Sequence, residues 1–134
     1  MQKKIYIAGQ FEYADDISSK MRELEKRGFL ITHDWTKFES YQDDCVKMGK
    51  SAELDIDGVK NAEILICVMT DGEYEYRGTF TEIGCALGLG KKIIIINNNN
   101  NRESFCMTNC FYHHPAIIHV DSWEECLKLP CIFK

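Results

Sequence analysis

Long apolar runs are missing from this 134-residue sequence. Its aliphatic stretches are strand-sized, which excludes a membrane-spanning helix of about 20 apolar residues. An excess of positive charge is missing too. Sixteen Lys and Arg stand against 21 Asp and Glu, for a net charge of −5 and a pI near 5.4. Binding nucleic acid or an anionic membrane surface needs a basic face, so neither class fits. The opening residues, Met1-Gln2-Lys3-Lys4-Ile5-Tyr6-Ile7-Ala8-Gly9, run straight into a strand pattern. They lack the longer apolar stretch of a secretory signal. There is no CxxC. The seven cysteines (Cys45, Cys67, Cys85, Cys106, Cys110, Cys126 and Cys131) are odd in number, and several fall in predicted core elements. That reads as free thiols in a reducing cytoplasm. Cys106, Cys110, His113 and His114 crowd one loop, but without the recurring paired spacings of structural zinc sites, and no metal is expected there.

What is present is an ordinary globular composition, 45% hydrophobic, with length enough for one domain over residues 1–134. Short aliphatic runs alternate with helical patterns. Strand one is predicted over Lys4 to Ala8. A helix follows over Ala14 to Lys26, with Ile17, Met21 and Leu24 on one face and Gly28 as its stop. Phe29 to His33 reads as strand two, the polar stretch Asp34 to Gly49 as a connection, and Ser51 to Asn61 as a helix. Ile64 to Met69 is strand three. A helix around Glu82 ends at Gly88 or Gly90. Lys92 to Ile96, with four consecutive isoleucines, is a strand buried on both faces. Ala116 to Val120 is a weaker strand, and Ser122 caps a last helix to Leu129. Strands alternating with helices imply a three-layer α/β sandwich, flavodoxin- or Rossmann-like, with a five-stranded parallel sheet ordered 2-1-3-4-5. Ligands bind such sheets beyond the carboxyl ends of the strands, at the switch point between strands one and three. The loops there are Gly9-Gln10-Phe11 and Thr70 to Gly78. Asn97 to Pro115 fits no element; its five asparagines carry no periodicity, while Phe105, Phe111 and Tyr112 argue for packing in its second half.

Glu82 is the only charged residue between Arg77 and Lys91. Two readings compete. Thr79-Phe80-Thr81-Glu82 matches a capping box, with Thr79 as N-cap. Alternatively, Glu82 stands at the ligand edge of the sheet as a nucleophile, kept ionised by the helix dipole. Gly78 would let the backbone approach a ligand closely. Asp55 lies on the helical face of Ala52, Ile56 and Val59, an apolar stripe where a carboxylate is unusual, whereas Asp57 points away to solvent. The bland reading of Asp55 is a stripe-edge residue paired with Lys60 or Lys47. Two carboxylates facing one pocket suit retaining glycosidic chemistry, the more buried one holding the proton.

The ordered motifs carry a resemblance. Ile5-Tyr6-Ile7-Ala8-Gly9, Asp55-Ile56-Asp57-Gly58-Val59-Lys60-Asn61-Ala62, Gly78-Thr79-Phe80-Thr81-Glu82-Ile83-Gly84 and Gly90-Lys91-Lys92-Ile93-Ile94-Ile95-Ile96 together span nearly the whole chain. The set resembles the nucleoside 2-deoxyribosyltransferase family, including its 2′-deoxynucleoside 5′-phosphate N-hydrolase members. The resemblance implies Glu82 as the nucleophile at C1′, Asp55 as proton donor to the departing base, and Tyr6 as the residue that positions Glu82. It implies a small-molecule nucleoside or nucleotide substrate, no metal or organic cofactor, and a homodimer or higher homo-oligomer. It departs from the N-hydrolases after strand one. There they carry an arginine, and this chain has Gln10-Phe11-Glu12 with no cation. Arg77, Thr79 and Thr81 are the remaining contacts for a phosphate or 5′-hydroxyl at the helix start.

Gly9, Phe11, Asp34, Trp35, Gly78, Thr79 and Thr81 complete the expected substrate-binding set. Trp35 and Phe11 are read either as covers for the base or as packing at the sheet edge. His113 and His114 read as a surface turn before Pro115. Two rival functions stay open: a nucleotide-binding module of the same fold without turnover, and a glycohydrolase of NAD-like substrates.

Overall fold

The computed structural model describes residues 2–37, 44–99 and 101–133. Five strands form the sheet: β1 (Lys4–Ala8), β2 (Leu30–Ile31), β3 (Ile64–Val68), β4 (Lys92–Ile96) and β5 (Ile118–Val120). Their order is β2-β1-β3-β4-β5 and every pairing is parallel, as the alternation of strands and helices predicts. In the central register Tyr6 pairs with Leu65, and Leu65 with Ile93.

The period-two alternation of the strands divides the core into two layers. Tyr6, Ala8, Leu65, Cys67, Ile93 and Ile95 face α2 (Cys45–Asn61) and α3 (Arg77–Gly88), meeting Val59, Ile83 and Ala86. Ile5, Ile7, Ile64, Ile66, Ile94 and Ile96 face the other way. They meet Ile17, Met21 and Leu24 of α1 (Ala14–Lys26), Cys126 of α4 (Trp123–Leu127) and Ile132 of α5 (Pro130–Phe133). Burying one such isoleucine fully contributes about 1.5–3 kcal/mol. The β4 isoleucines are at most 3% exposed, so that strand is covered on both faces. α1 stops where Gly28 turns to φ +95°.

Several boundaries differ from the sequence reading. β2 is two residues long rather than five. It is an edge strand, and after it the Thr32 hydroxyl turns to the Gly58 carbonyl at 2.6 Å. α2 begins at Cys45 rather than Ser51, because the Asp44 carboxylate accepts from the Val46 and Lys47 amides. Part of the polar stretch Asp34 to Gly49, residues 38–43, lies outside the described residues. β5 begins at Ile118 rather than Ala116. The Ser122 hydroxyl caps α4 as expected, accepting from Glu125 N.

The asparagine run is not featureless. Asn97, Asn99 and Asn101 each accept, through the side-chain carbonyl, the backbone N–H two residues on. These are consecutive Asx turns. Asn97 also donates to the Tyr112 hydroxyl at 3.1 Å, which anchors the loop. Tyr112 is buried as expected, but Phe105 and Phe111 are each about half exposed. No helix among the described residues is long and apolar enough to cross a membrane. Cys45, Cys67, Cys85, Cys106, Cys110 and Cys126 are free thiols.

Candidate active site

α3 buries Thr79, Glu82, Ile83 and Ala86, the i, i+3, i+4, i+7 stripe of a helix laid on a sheet. Glu82 is therefore aimed at the sheet, and beneath it β1 presents Tyr6. The Tyr6 hydroxyl donates to Glu82 Oε2 at 2.5 Å, within the range of a charge-assisted O–H···O bond. Both residues are buried, Tyr6 at 1% and Glu82 at 9% exposure.

The capping box is overturned. α3 starts at Arg77, so Thr79 lies inside the first turn and the Glu82 carboxylate is engaged by Tyr6. The N-cap is Tyr76, in the left-handed region at φ 54°, ψ 39°. Such a conformation costs a non-glycine residue roughly 1–2 kcal/mol. The Tyr76 ring is buried, and its hydroxyl accepts from Asp71 N at 3.0 Å, which holds the loop before α3.

The expectation that the helix dipole keeps Glu82 ionised is overturned as well. Burial pushes its carboxyl up to about 8; the Tyr6 hydrogen bond opposes the shift and the charge of Asp55 adds to it. The dipole acts within the first turn, and Glu82 sits beyond it. Desolvation dominates there.

Gly58 brings α2 onto the same spot. A Cβ there would lie 2.8 Å from Tyr6 Cδ2 and 2.8 Å from His33 Cβ, closer than packed atoms sit. Without it the helix rests directly on the Tyr6 ring. Asp55, one turn earlier, then shares the Tyr6 hydroxyl environment with Glu82. Asp55 Oδ1 is buried and makes no hydrogen bond of normal length. His33 Nε2 stands 3.5 Å from it, so His33, rather than Lys60, is the ion-pair partner. Burial raises the Asp55 pKa, while His33 and Tyr6 oppose the rise. Asp57 is exposed, as its helical phase predicts. Burial raises both carboxyls, so the pair holds a proton above the ordinary carboxylate range.

The other expected residues spread around this centre. Trp35 donates its indole N–H to the Ile7 carbonyl at 2.7 Å, which lays the ring over the end of β1. Phe11 is about half exposed, with its ring centroid 6.4 Å from that of Trp35. The Asp34 carboxylate is held by Arg22 at 3.0 Å and by the Thr36 hydroxyl, on the α1 side. A Cβ on Gly9 would strike Ile17 Cδ1 at 2.3 Å, so close packing of α1 explains that glycine. Gly78 has open space where a Cβ would stand, and Thr79 is buried. Thr81 is exposed, its hydroxyl donating back to the Arg77 carbonyl at 2.9 Å. Arg77 lines a separate cavity of about 430 Å³ with Glu75, Phe80, Phe105, Thr108 and Asn109. His113 and His114 have local partners: His113 Nε2 pairs with the Met107 carbonyl, and His114 Nδ1 accepts from Ala116 N.

The sequence model of the nucleoside 2-deoxyribosyltransferase family matches residues 5–114, a span containing Tyr6, His33, Asp55 and Glu82. The chain belongs to this family. Solved structures share its fold. A 2-deoxyribosyltransferase of Bacillus psychrosaccharolyticus superposes with TM-score 0.70 at 19% identity, covering 94% of this chain and 91% of the other. A CMP N-glycosidase of Clostridium botulinum gives 0.59 at 20% identity, over 94% and 96%. A conserved protein of Enterococcus faecalis V583 gives 0.56 at 14% identity, over 96% of each chain. No curated protein matches by sequence. Membership sets the Tyr6–Glu82–Asp55 group within a nucleoside 2-deoxyribosyltransferase fold, on the helical layer above β1 and β3.

Proposed function

We propose that this protein breaks the N-glycosidic bond of a 2′-deoxynucleoside or its 5′-monophosphate and holds the sugar on Glu82 before releasing it. The observation that carries the reading is the buried Tyr6–Glu82 hydrogen bond of 2.5 Å with Asp55 beside it. In the reacting form the one proton held by the pair sits on Asp55, and the ionised Glu82 oxygen attacks C1′. The C1′–N bond breaks, its electron pair leaves with the base, and Asp55 supplies a proton to the base nitrogen. Tyr6 fixes the attacking carboxylate. In the second step water or another base attacks C1′, Asp55 takes up its proton, and Glu82 is freed with retention. The relatives named above act as a transferase and as an N-glycosidase, and both outcomes follow from one intermediate. Gly78 and Thr79 at the start of α3, with Phe11 and Trp35 at the end of β1, frame the sugar and base in this reading.

A homo-oligomer also belongs to it. α2 leaves Val46 and Leu54 exposed within about 80° of each other around the helix, an apolar patch suited to a second copy.

The test is a panel of deoxynucleosides, their 5′-monophosphates and NAD, each with and without a free base, followed by chromatography. Release of free base, and exchange when a second base is added, is the expected result. An intact-mass shift of one deoxyribosyl group on Glu82 would identify the intermediate. Thermal stabilisation by these ligands without any product would replace this reading with a binding module. Preferential cleavage of NAD would make the protein a glycohydrolase of that type.

A further inference from the structure

Gln10 follows β1 at its carboxyl end with extended backbone, φ −82°, ψ 131°. Strand alternation therefore runs on past the ladder. Tyr6 and Ala8 face the layer of α2 and α3, whereas a Cβ on Gly9 would meet Ile17 of α1. The next side chain, Gln10, leaves the sheet on the side of Glu82. It is only 6% exposed. Its Nε2 donates to Glu12 Oε2 at 3.1 Å. Glu12 only accepts, so it fixes which end of the amide is nitrogen. The other end, Oε1, is buried with no hydrogen-bond partner among the described residues. A buried carbonyl without a donor is unfavourable, and such a group at a ligand edge calls for a donor from the ligand.

The surrounding charge narrows the choice. No Lys or Arg occurs between Lys4 and Lys20, and Arg77 is the only one between Lys60 and Lys91. Arg77 lines the cavity with Phe105 and Asn109, and its helical phase sets it about 140° from Glu82 around α3. A 5′-phosphate would bring only acceptor oxygens and about −1.5 to −2 charge to a carbonyl and a carboxylate. A 5′-hydroxyl would bring the missing O–H.

We propose that Gln10 is a specificity-determining residue of this site: its Oε1 accepts from the 5′-hydroxyl of an unphosphorylated nucleoside, and with Glu12 it excludes the 5′-monophosphate. The inference rests on the N-glycosidic reading above and decides between the two substrate classes that reading allows.

The experiment measures kcat/KM for a 2′-deoxynucleoside, its 5′-monophosphate and the 2′,5′-dideoxynucleoside lacking the O–H. The proteins are wild type, Gln10→Met and Glu12→Gln. Wild type is expected to prefer the deoxynucleoside over both analogues by roughly tenfold or more, the usual worth of a donor to a buried acceptor. Gln10→Met should lose that preference over the dideoxy compound, because the deoxynucleoside rate falls further than the dideoxy rate. Glu12→Gln should raise use of the monophosphate relative to the deoxynucleoside. A wild-type preference for the monophosphate overturns the inference and leaves the N-glycosidic reading standing. So does a Gln10→Met variant that is unchanged or that loses equally on all three compounds, as a merely structural role would. Failure of wild type to cleave any of the three overturns both. If Gln10→Met does not fold by circular dichroism, Glu12→Gln decides, because Glu12 is exposed. An unchanged substrate ratio in that variant then counts against the proposal.

Discussion

Glu82→Ala is expected to lower release of free base from a deoxynucleoside by about 10⁴-fold or more, the scale on which loss of a nucleophile acts. Tyr6 and Asp55 remain, so what survives is binding and orientation without a group to receive C1′. The fold should persist. Alanine is the best helix former, and the change removes a carboxyl whose burial is unfavourable when charged. Base release by chromatography and far-ultraviolet circular dichroism together read the outcome. Activity within tenfold of wild type, with helix content intact, would remove Glu82 from the chemistry. Glu82→Gln is the near-isosteric companion. It keeps a partner for the Tyr6 hydroxyl and should be as inactive as the alanine variant, separating a lost nucleophile from a disturbed pocket.

The sheet was legible because each strand states its own burial. The isoleucines of β4 and the alternation of β1 leave one arrangement that covers both faces, and the α1 stripe of Ile17, Met21 and Leu24 selects the layer opposite Glu82. Helix starts were less legible. α3 is opened by Tyr76 in a left-handed conformation, which no capping preference announces, while Thr79 and Glu82 imitate a box three residues too late. α2 has a standard cap in Asp44, but the apolar stripe becomes regular only beyond Ser51, and its first turns are exposed. The asparagine run passed for low complexity because Asx turns rest on side chain-to-backbone hydrogen bonds, which no apolar period signals.

Within the site, Tyr6, Asp55 and Glu82 were each visible as polar groups in apolar patterns, and the structure brings them together. His33 was not, since it follows a two-residue strand and carries no period. Gly58 lay inside a quoted motif, yet its use, letting α2 rest on Tyr6, depends on a contact distance. The protonation of Glu82 was read with the wrong sign because the dipole is a local quantity and burial is not.

That sign has a measurable consequence. The folded-state pKa of Glu82 is about 8 against an ordinary 4.5, so the native state holds this proton where the unfolded chain has released it. The contribution of Glu82 to stability is fully present below about pH 4.5 and is lost as pH rises through about 8. Glutamine cannot ionise and does not lose it. The stability of Glu82→Gln relative to wild type is therefore expected to grow between pH 5 and pH 9 by ~3–5 kcal/mol, at 1.36 kcal/mol per pKa unit. In thermal melts this is a widening gap on the order of 10 °C. Parallel melting curves across that range would mean that Glu82 titrates as an ordinary carboxyl. The same titration bounds turnover. The first step needs an ionised Glu82 and a protonated Asp55, that is, one proton on the pair, so kcat/KM should fall as pH rises through about 8 and that proton is lost. A kcat/KM that kept climbing beyond pH 8 would remove the Asp55 proton from the first step.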